Sequence, residues 1–295
     1  MKLCTFALSF TWNMIWLLLS FFLYAFNNVV WKWTASNENS LYLISRRAIF
    51  TVVFATVALF LTETSGLSFI HQPLYYRIVI GCLLGTLGLI LMVTFLKSGN
   101  LTRLSYYMFL GLAINGSFTY FLNHEPFTRK LLIGSIILIA GYLIFLWDER
   151  RKIKLEPILL TQHLLLAGMT VCFSANTLIQ WKALTNFKPL SIMLTQESVV
   201  LIVTTILYLI LAKQKKQKPT VQSYVRFPIM AAVIMLAVFC GLMGLKYTNP
   251  FISSISGVLV PLLTVSFGFI FFNEKLNWAQ IISFAVIIVG EMALV

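Results

Sequence analysis

The sequence predicts an all-α polytopic membrane protein: ten transmembrane helices arranged as two inverted five-helix repeats. Three observations carry this: an apolar composition, apolar runs of membrane-crossing length along the whole chain, and similarity of its first half to its second. Of 295 residues, 59% are hydrophobic and only 11% charged, with mean hydropathy +0.90. A soluble domain of that size carries far more charge. Stretches of about 18–25 apolar residues recur, each able to cross roughly 30 Å of hydrocarbon.

The formal net charge is +13. It does not form one basic face, because the bases cluster in short connectors such as "DERRKIKLE" (148–156) and "KQKKQK" (213–218). Basic connectors are a feature of membrane topology, so nucleic acid is set aside as a partner and the lipid bilayer is the expected surroundings. The first apolar run begins near Leu3 and continues past Phe26. It is too long for a cleaved leader and reads as a retained first helix. Cys4, Cys82, Cys172 and Cys240 lie scattered in apolar segments and read as small buried hydrophobes.

Apolar runs set against their polar breaks place the spans at about 8–30, 40–62, 76–96, 101–122, 129–147, 157–180, 190–212, 227–246, 250–272 and 277–295. The charged stretch after the fifth divides the chain into 1–150 and 151–295. Sliding the chain on itself by 149 positions lays Lys97 on Lys246, Asn100 on Asn249, Glu125 on Glu274, Gly141 on Gly290 and Asn27 on Asn176. These identities fall on connectors and polar positions, where chance matches are rare. Five crossings per half is an odd number, so the second half starts on the opposite face and the halves are inverted. Inverted repeats are a usual architecture of secondary transporters, since two near-equivalent packings can expose one central site to either side.

The stretch "SSISGVLVPLLTVSFGFIFFNEKLNWAQIISFAVIIVGEMAL" (253–294) resembles the EamA-like branch of the drug/metabolite transporter superfamily. The features are Pro261 within a span, the turn Asn273-Glu274-Lys275, and Gly290 near the end of the last helix. In the first half Glu125 and Gly141 match, but Leu112 replaces the proline. The resemblance implies a ten-helix carrier whose cavity is bounded by the first, third, fourth, sixth, eighth and ninth spans. Glu125 and Glu274 read as turn residues that stabilise the following helix N-terminus, with Arg129, Lys130 and Lys275 as counter-charges.

A central site needs polar side chains facing the bundle. Tyr24, Asn27, Asn28 and Trp31 share one face of the first span at i, i+3, i+4 and i+7, and Asn176 and Gln180 share one face of the sixth. Tyr106 and Asn115 in the fourth span, and Tyr247, Ser253 and Ser256 at the ninth, complete the candidate substrate-binding set. Asn27 and Asn176 are equally open to a role as interhelical hydrogen-bond glue. One residue of slip brings "WK" at 31–32 onto "WK" at 181–182. At that offset of 150 Arg46 and Arg47 fall on Gln196 and Glu197, so Arg47 and Glu197 are charged residues inside spans at repeat-equivalent places. Their depths count from opposite faces, so the spacing permits a direct pair without requiring one. Glu197 is the candidate for proton coupling or for neutralising a cationic substrate group. Arg46 and Arg47 both also read as snorkelling to the headgroups, and Glu291 as interfacial.

His71, His124 and His163 share no metal-ligand spacing, and no phosphate-cradling Gly loop, HExxH or GxSxG occurs. No cofactor, metal or catalytic residue is expected, and the chain does not read as an enzyme. The span between Lys246 and Lys275 has no basic residue, which argues against a phosphorylated, nucleotide-sugar-like solute. The expected function is export or exchange of a small polar metabolite of the amino-acid kind, H⁺ being a candidate coupling ion. The expected setting is a multi-pass protein, monomer or homodimer, of the bacterial cytoplasmic membrane. Orientation stays open: seven of the 22 basic residues fall on the face holding both termini, which puts the termini outside by the positive-inside rule. The family resemblance implies termini in the cytoplasm.

Overall fold

The structure, a computed structural model, describes residues 2–34, 39–62, 66–98, 107–152, 160–211, 221–272 and 278–294. Among the described residues every regular element is helical. In chain order these are α1 (Lys2–Thr34), α2 (Ser40–Thr62), a 3₁₀ turn (Ser68–His71), α3 (Tyr75–Ser98), α4 (Met108–Gly116) running into a π-helical segment (Ser117–Leu122), α5 (Arg129–Lys152), α6 (Leu160–Ala183), α7 (Pro189–Leu211), α8 (Val221–Tyr247), α9 (Pro250–Ser256), α10 (Leu259–Phe272) and α11 (Trp278–Leu294).

Seven stretches among the described residues are long and apolar enough to cross a bilayer: 14–31, 40–62, 75–95, 160–183, 189–211, 225–247 and 250–271. The last of these joins α9 to α10 across their turn, and two shorter apolar helices cover 110–122 and 278–294. The exposed side chains are largely Leu, Ile, Val and Phe, from Ile15 on α1 to Met292 on α11. An aqueous protein would not leave so much contiguous apolar surface uncovered, whereas lipid covers it at no cost.

Local sequence sets the helix ends. Pro189 opens α7 at a position where its missing N–H loses no bond. Asn249 caps α9, its side chain accepting from the Ile252 N–H at 2.9 Å, with Pro250 next in line. The break between α9 and α10 follows from Pro261, which has no N–H for the carbonyl of Gly257, four residues back. That carbonyl takes the Val260 N–H instead, at 3.0 Å, and the chain tightens through Gly257 and Val258. In α4 the equivalent residue is Leu112, and the helix passes through it unbroken. The α5 cap differs from the expectation for Glu125: Thr128 Oγ1 accepts from the Leu131 N–H at 3.2 Å, while Glu125 accepts from Asn123 Nδ2 at 2.9 Å. Asn273, Glu274 and Lys275 lie outside the described residues.

Helix partners occur in matched sets. α5 packs along α11, and α2 along α7. α1 packs on α8 as α3 packs on α6; α2 meets α8 as α3 meets α7; α1 meets α10 as α4 meets α6. The α5–α11 seam shows the match at the level of atoms. A Cβ on Gly141 would lie 2.7 Å from Ile287 Cγ1, and one on Gly290 would lie 2.7 Å from Leu138 Cγ. Leu138 and Ile287, like Gly141 and Gly290, are 149 positions apart, so one contact maps onto the other when the halves are exchanged. Ser283 Oγ donates to the Gly141 carbonyl at 2.6 Å and seals the seam. With lipid on one side and no hydrophobic gain from association, such close backbone approach supplies the dispersion energy that holds helices together.

Candidate functional site

Within the α2–α7 contact lies a buried ion pair. Arg47 Nη2 donates to Glu197 Oε2 at 2.8 Å, and both side chains are 2% exposed. At 1.5 Å per residue, Arg47 lies about 10 Å and Glu197 about 12 Å along its helix. The two residues are 150 positions apart, at repeat-equivalent places, so the pair bridges the halves. Arg47 Nε has no partner among the described residues. Thr51 and Thr204, each fully buried within a turn or two of the charges, return their hydroxyls to their own helix carbonyls. Neighbouring Arg46 is exposed, its guanidinium 5.3 Å from the Tyr42 ring centre, whereas Arg47 does not snorkel but is buried in the pair.

Tyr24 on α1 lies within electrostatic reach of Glu197, Arg47 and Cys240, and Cys82 on α3 within reach of Glu197. Side chains of α1 and α3 therefore come within electrostatic reach of the pair that joins α2 to α7. Beside it, Gln180 Nε2 on α6 donates to Gln196 Oε1 on α7 at 2.6 Å, and Thr195 Oγ1 lies 3.4 Å from the Tyr75 hydroxyl. Gln196, Thr195 and Tyr75 were not in the candidate set read from the sequence. Gln196 and Thr195 directly precede Glu197, which is the signal that could have found them.

The other expected residues are distributed as follows. Asn27 is 3% exposed and its Oδ1 has no partner. Asn176, its repeat equivalent, is also buried, its Oδ1 without a partner among the described residues, and its amide nitrogen lies 2.8 Å from where a Cβ on Gly85 of α3 would sit. Asn28 Nδ2 donates weakly to Thr264 Oγ1 on α10, at 3.4 Å. Asn115 Nδ2 donates to Ser254 Oγ, tying α4 to α9. Ser253 is half-buried on α9, and Tyr247 is 47% exposed at the end of α8, beside the ammonium of Lys246. Tyr106 lies outside the described residues.

Ser256 serves a different partner from the one expected. Its hydroxyl donates to Glu291 Oε2 at 3.0 Å. Glu291, expected at the membrane interface, is only 7% exposed, because α11 turns this face inward against α9 and α10.

Residues at the helix ends also contact one another across the bundle. At one end Lys182 donates to Asn123, and Trp181 Nε1 donates to the Thr248 carbonyl at 3.2 Å. At the other end Tyr107 and His163 hydrogen-bond.

An all-helical bundle with a lipid-compatible surface and buried polar groups gathered at its centre defines a multi-pass integral membrane protein. The chain belongs to the EamA-like transporter family, whose model matches residues 11–147 and again residues 160–295. It is accordingly a membrane transporter of the drug/metabolite type. Its fold is similar to that of a solved crystal structure with TM-score 0.76 and 14% identity, covering 96% of this chain and 97% of the other. No curated protein matches the sequence.

Proposed function

We propose that the protein is a secondary transporter that exports or exchanges a small polar metabolite of the amino-acid kind by alternating access. The halves 1–150 and 151–295 act as inverted five-helix repeats that rock about the Arg47–Glu197 pair. The observation that carries this reading is the pair itself. It joins equivalent positions of two halves, is withdrawn from solvent, and lies within electrostatic reach of Tyr24 on α1. An isolated buried pair is weak evidence for stability, because desolvation offsets much of its attraction. A pair at the meeting point of two rocking units gives both states a shared pivot.

The matched helix partners and the reciprocal Gly141–Ile287 and Leu138–Gly290 contacts support the duplicated arrangement. The pairing of Asn123 with Lys182 at one end and Tyr107 with His163 at the other supports ten crossings, odd in each half. In this reading Glu197 receives the substrate's ammonium group or a proton, and Arg47 receives an anionic group or releases its carboxylate partner. Tyr24, Asn27, Asn176, Gln180 and Gln196 supply neutral polar contacts, with Asn28, Asn115 and Ser253 toward α9 and α10. When the solute brings both an ammonium and a carboxylate group, each exchange replaces one charge interaction by another; when Glu197 takes a proton, the anionic group of the solute is what compensates Arg47.

Reconstituted vesicles screened with labelled amino acids and related amines test the reading. Wild-type vesicles should move at least one solute faster than empty vesicles, and Glu197→Gln should abolish concentrative transport or its pH dependence. Failure of every solute would sink the transport reading. A Glu197→Gln variant with the wild-type rate and pH profile would remove Glu197 from the mechanism.

A further inference from the structure

A second polar feature lies away from the Arg47–Glu197 pair. Between α1, α10 and α11 a groove of about 350 Å³ opens sideways, lined by Met14, Leu18, Phe22, Leu263, Ile288 and Met292, with Glu291 among them. Leu18, Phe22, Ile288 and Met292 are well exposed, so the opening faces the bilayer. Glu291 is 93% buried; its Oε2 is held by Ser256, and its Oε1 has no partner among the described residues. Among the described residues it forms no ion pair, and every other side chain lining the groove is apolar and non-titratable.

We propose that this groove is a lateral binding site for an amphiphilic ammonium ion, anchored by Glu291. A carboxylate in so apolar a setting is strongly disfavoured unless something neutralises it. The Ser256 hydroxyl satisfies one oxygen and fixes the carboxyl plane, leaving the other to accept a charge-assisted hydrogen bond. A protonated amine supplies both the N–H and the positive charge, while its alkyl or aromatic body lies along Leu18, Phe22 and Met292. The volume falls in the range of small-molecule sites. Met14 and Met292 give adaptable walls, and Phe22 offers a ring face that attracts cations. An amphiphilic carboxylate is repelled by the same anchor, and an alcohol of equal length gains only a neutral hydrogen bond. The inference does not depend on what the central site carries.

The test uses purified full-length protein in detergent and a fluorescent alkylamine, with the matching alkyl alcohol and alkyl carboxylate as comparators. Wild-type protein should bind the amine saturably, and Glu291→Gln should bind it about tenfold more weakly or worse. Leu263→Trp, which fills the groove and keeps the acid, should also lose binding. A measurement on the wild type alone guards against misfolded variants: a hydrophobic carbodiimide should modify Glu291, and saturating amine should protect it. Equal binding of amine and alcohol, unchanged amine binding in Glu291→Gln, or no protection by the amine would each overturn the proposal.

Discussion

Replacing Arg47 with Met leaves Glu197 buried without its counter-ion, since the 2.8 Å contact to Arg47 is the carboxylate's one ion pair among the described residues. Removing one partner of a buried pair costs about 3–5 kcal/mol, chiefly through the stranded charge. For a protein near this size that lowers the melting midpoint by roughly 6–20 °C. Glu197→Met should cost a similar amount by stranding Arg47, whose Nε already lacks a partner among the described residues. The double variant Arg47→Met/Glu197→Met removes both charges, and similar apolar packing brings stability back to within about 1–2 kcal/mol of wild type. Transport by this double variant should nevertheless be lost, because the pair is proposed to serve the cycle more than the fold. Arg47→Glu/Glu197→Arg goes further. The residues sit at equivalent positions of two halves, so the exchanged pair can form with nearly the same geometry and should recover stability relative to either single change. Melting of purified protein, monitored by tryptophan fluorescence, and flux in reconstituted vesicles give the two readouts. Single variants that melt within a degree or two of wild type would refute the reasoning, as would a double Met variant that transports normally.

Other predictions follow from the packing and from the helix break. Gly141→Ala and Gly290→Ala should be destabilising by about 1–3 kcal/mol and similar in size, because each Cβ would come 2.7 Å from the opposing helix; melting midpoints decide this. Ser283→Ala should cost about 1 kcal/mol by leaving the Gly141 carbonyl without its 2.6 Å donor, again read by melting. Pro261→Leu restores the N–H that Gly257 lacks, so amide hydrogen exchange around 257–261 should slow as α9 and α10 join, with flux falling while melting holds or rises.

Much of the helical framework was legible because membrane solvation is a simple constraint: each apolar run must satisfy its own backbone. The equivalence of Arg47 with Glu197, and of Gly141 with Gly290, could be read from the 149–150 residue offset. Their contacts could not, since an offset says nothing about which equivalent residues face each other across the join. Glu291 misled for a related reason. Its place one turn from the chain's end suggests an interface, but burial depends on α9 breaking at Gly257 and presenting Ser256 to it. Pro261 announced a disruption, while its position fell four residues earlier, at the carbonyl that loses its donor. Glu125 looked like a helix cap by charge, yet Thr128 lies closer to the exposed N–H groups and takes the role. Tyr247 illustrates the limit of residue type as a guide, since an amphipathic ring suits a membrane rim as well as a cavity.

The central claim is that the halves are flipped copies, and the sidedness of two equivalent loops tests it most directly. In a cysteine-free background, single cysteines at His71, between α2 and α3, and at Lys216, between α7 and α8, are treated with a membrane-impermeant thiol reagent on sealed vesicles. The account predicts that one reacts from outside and the other only after the membrane is opened. Reaction of both from the same side would mean that the halves run parallel, and the two-state carrier built on their inversion would fall with it.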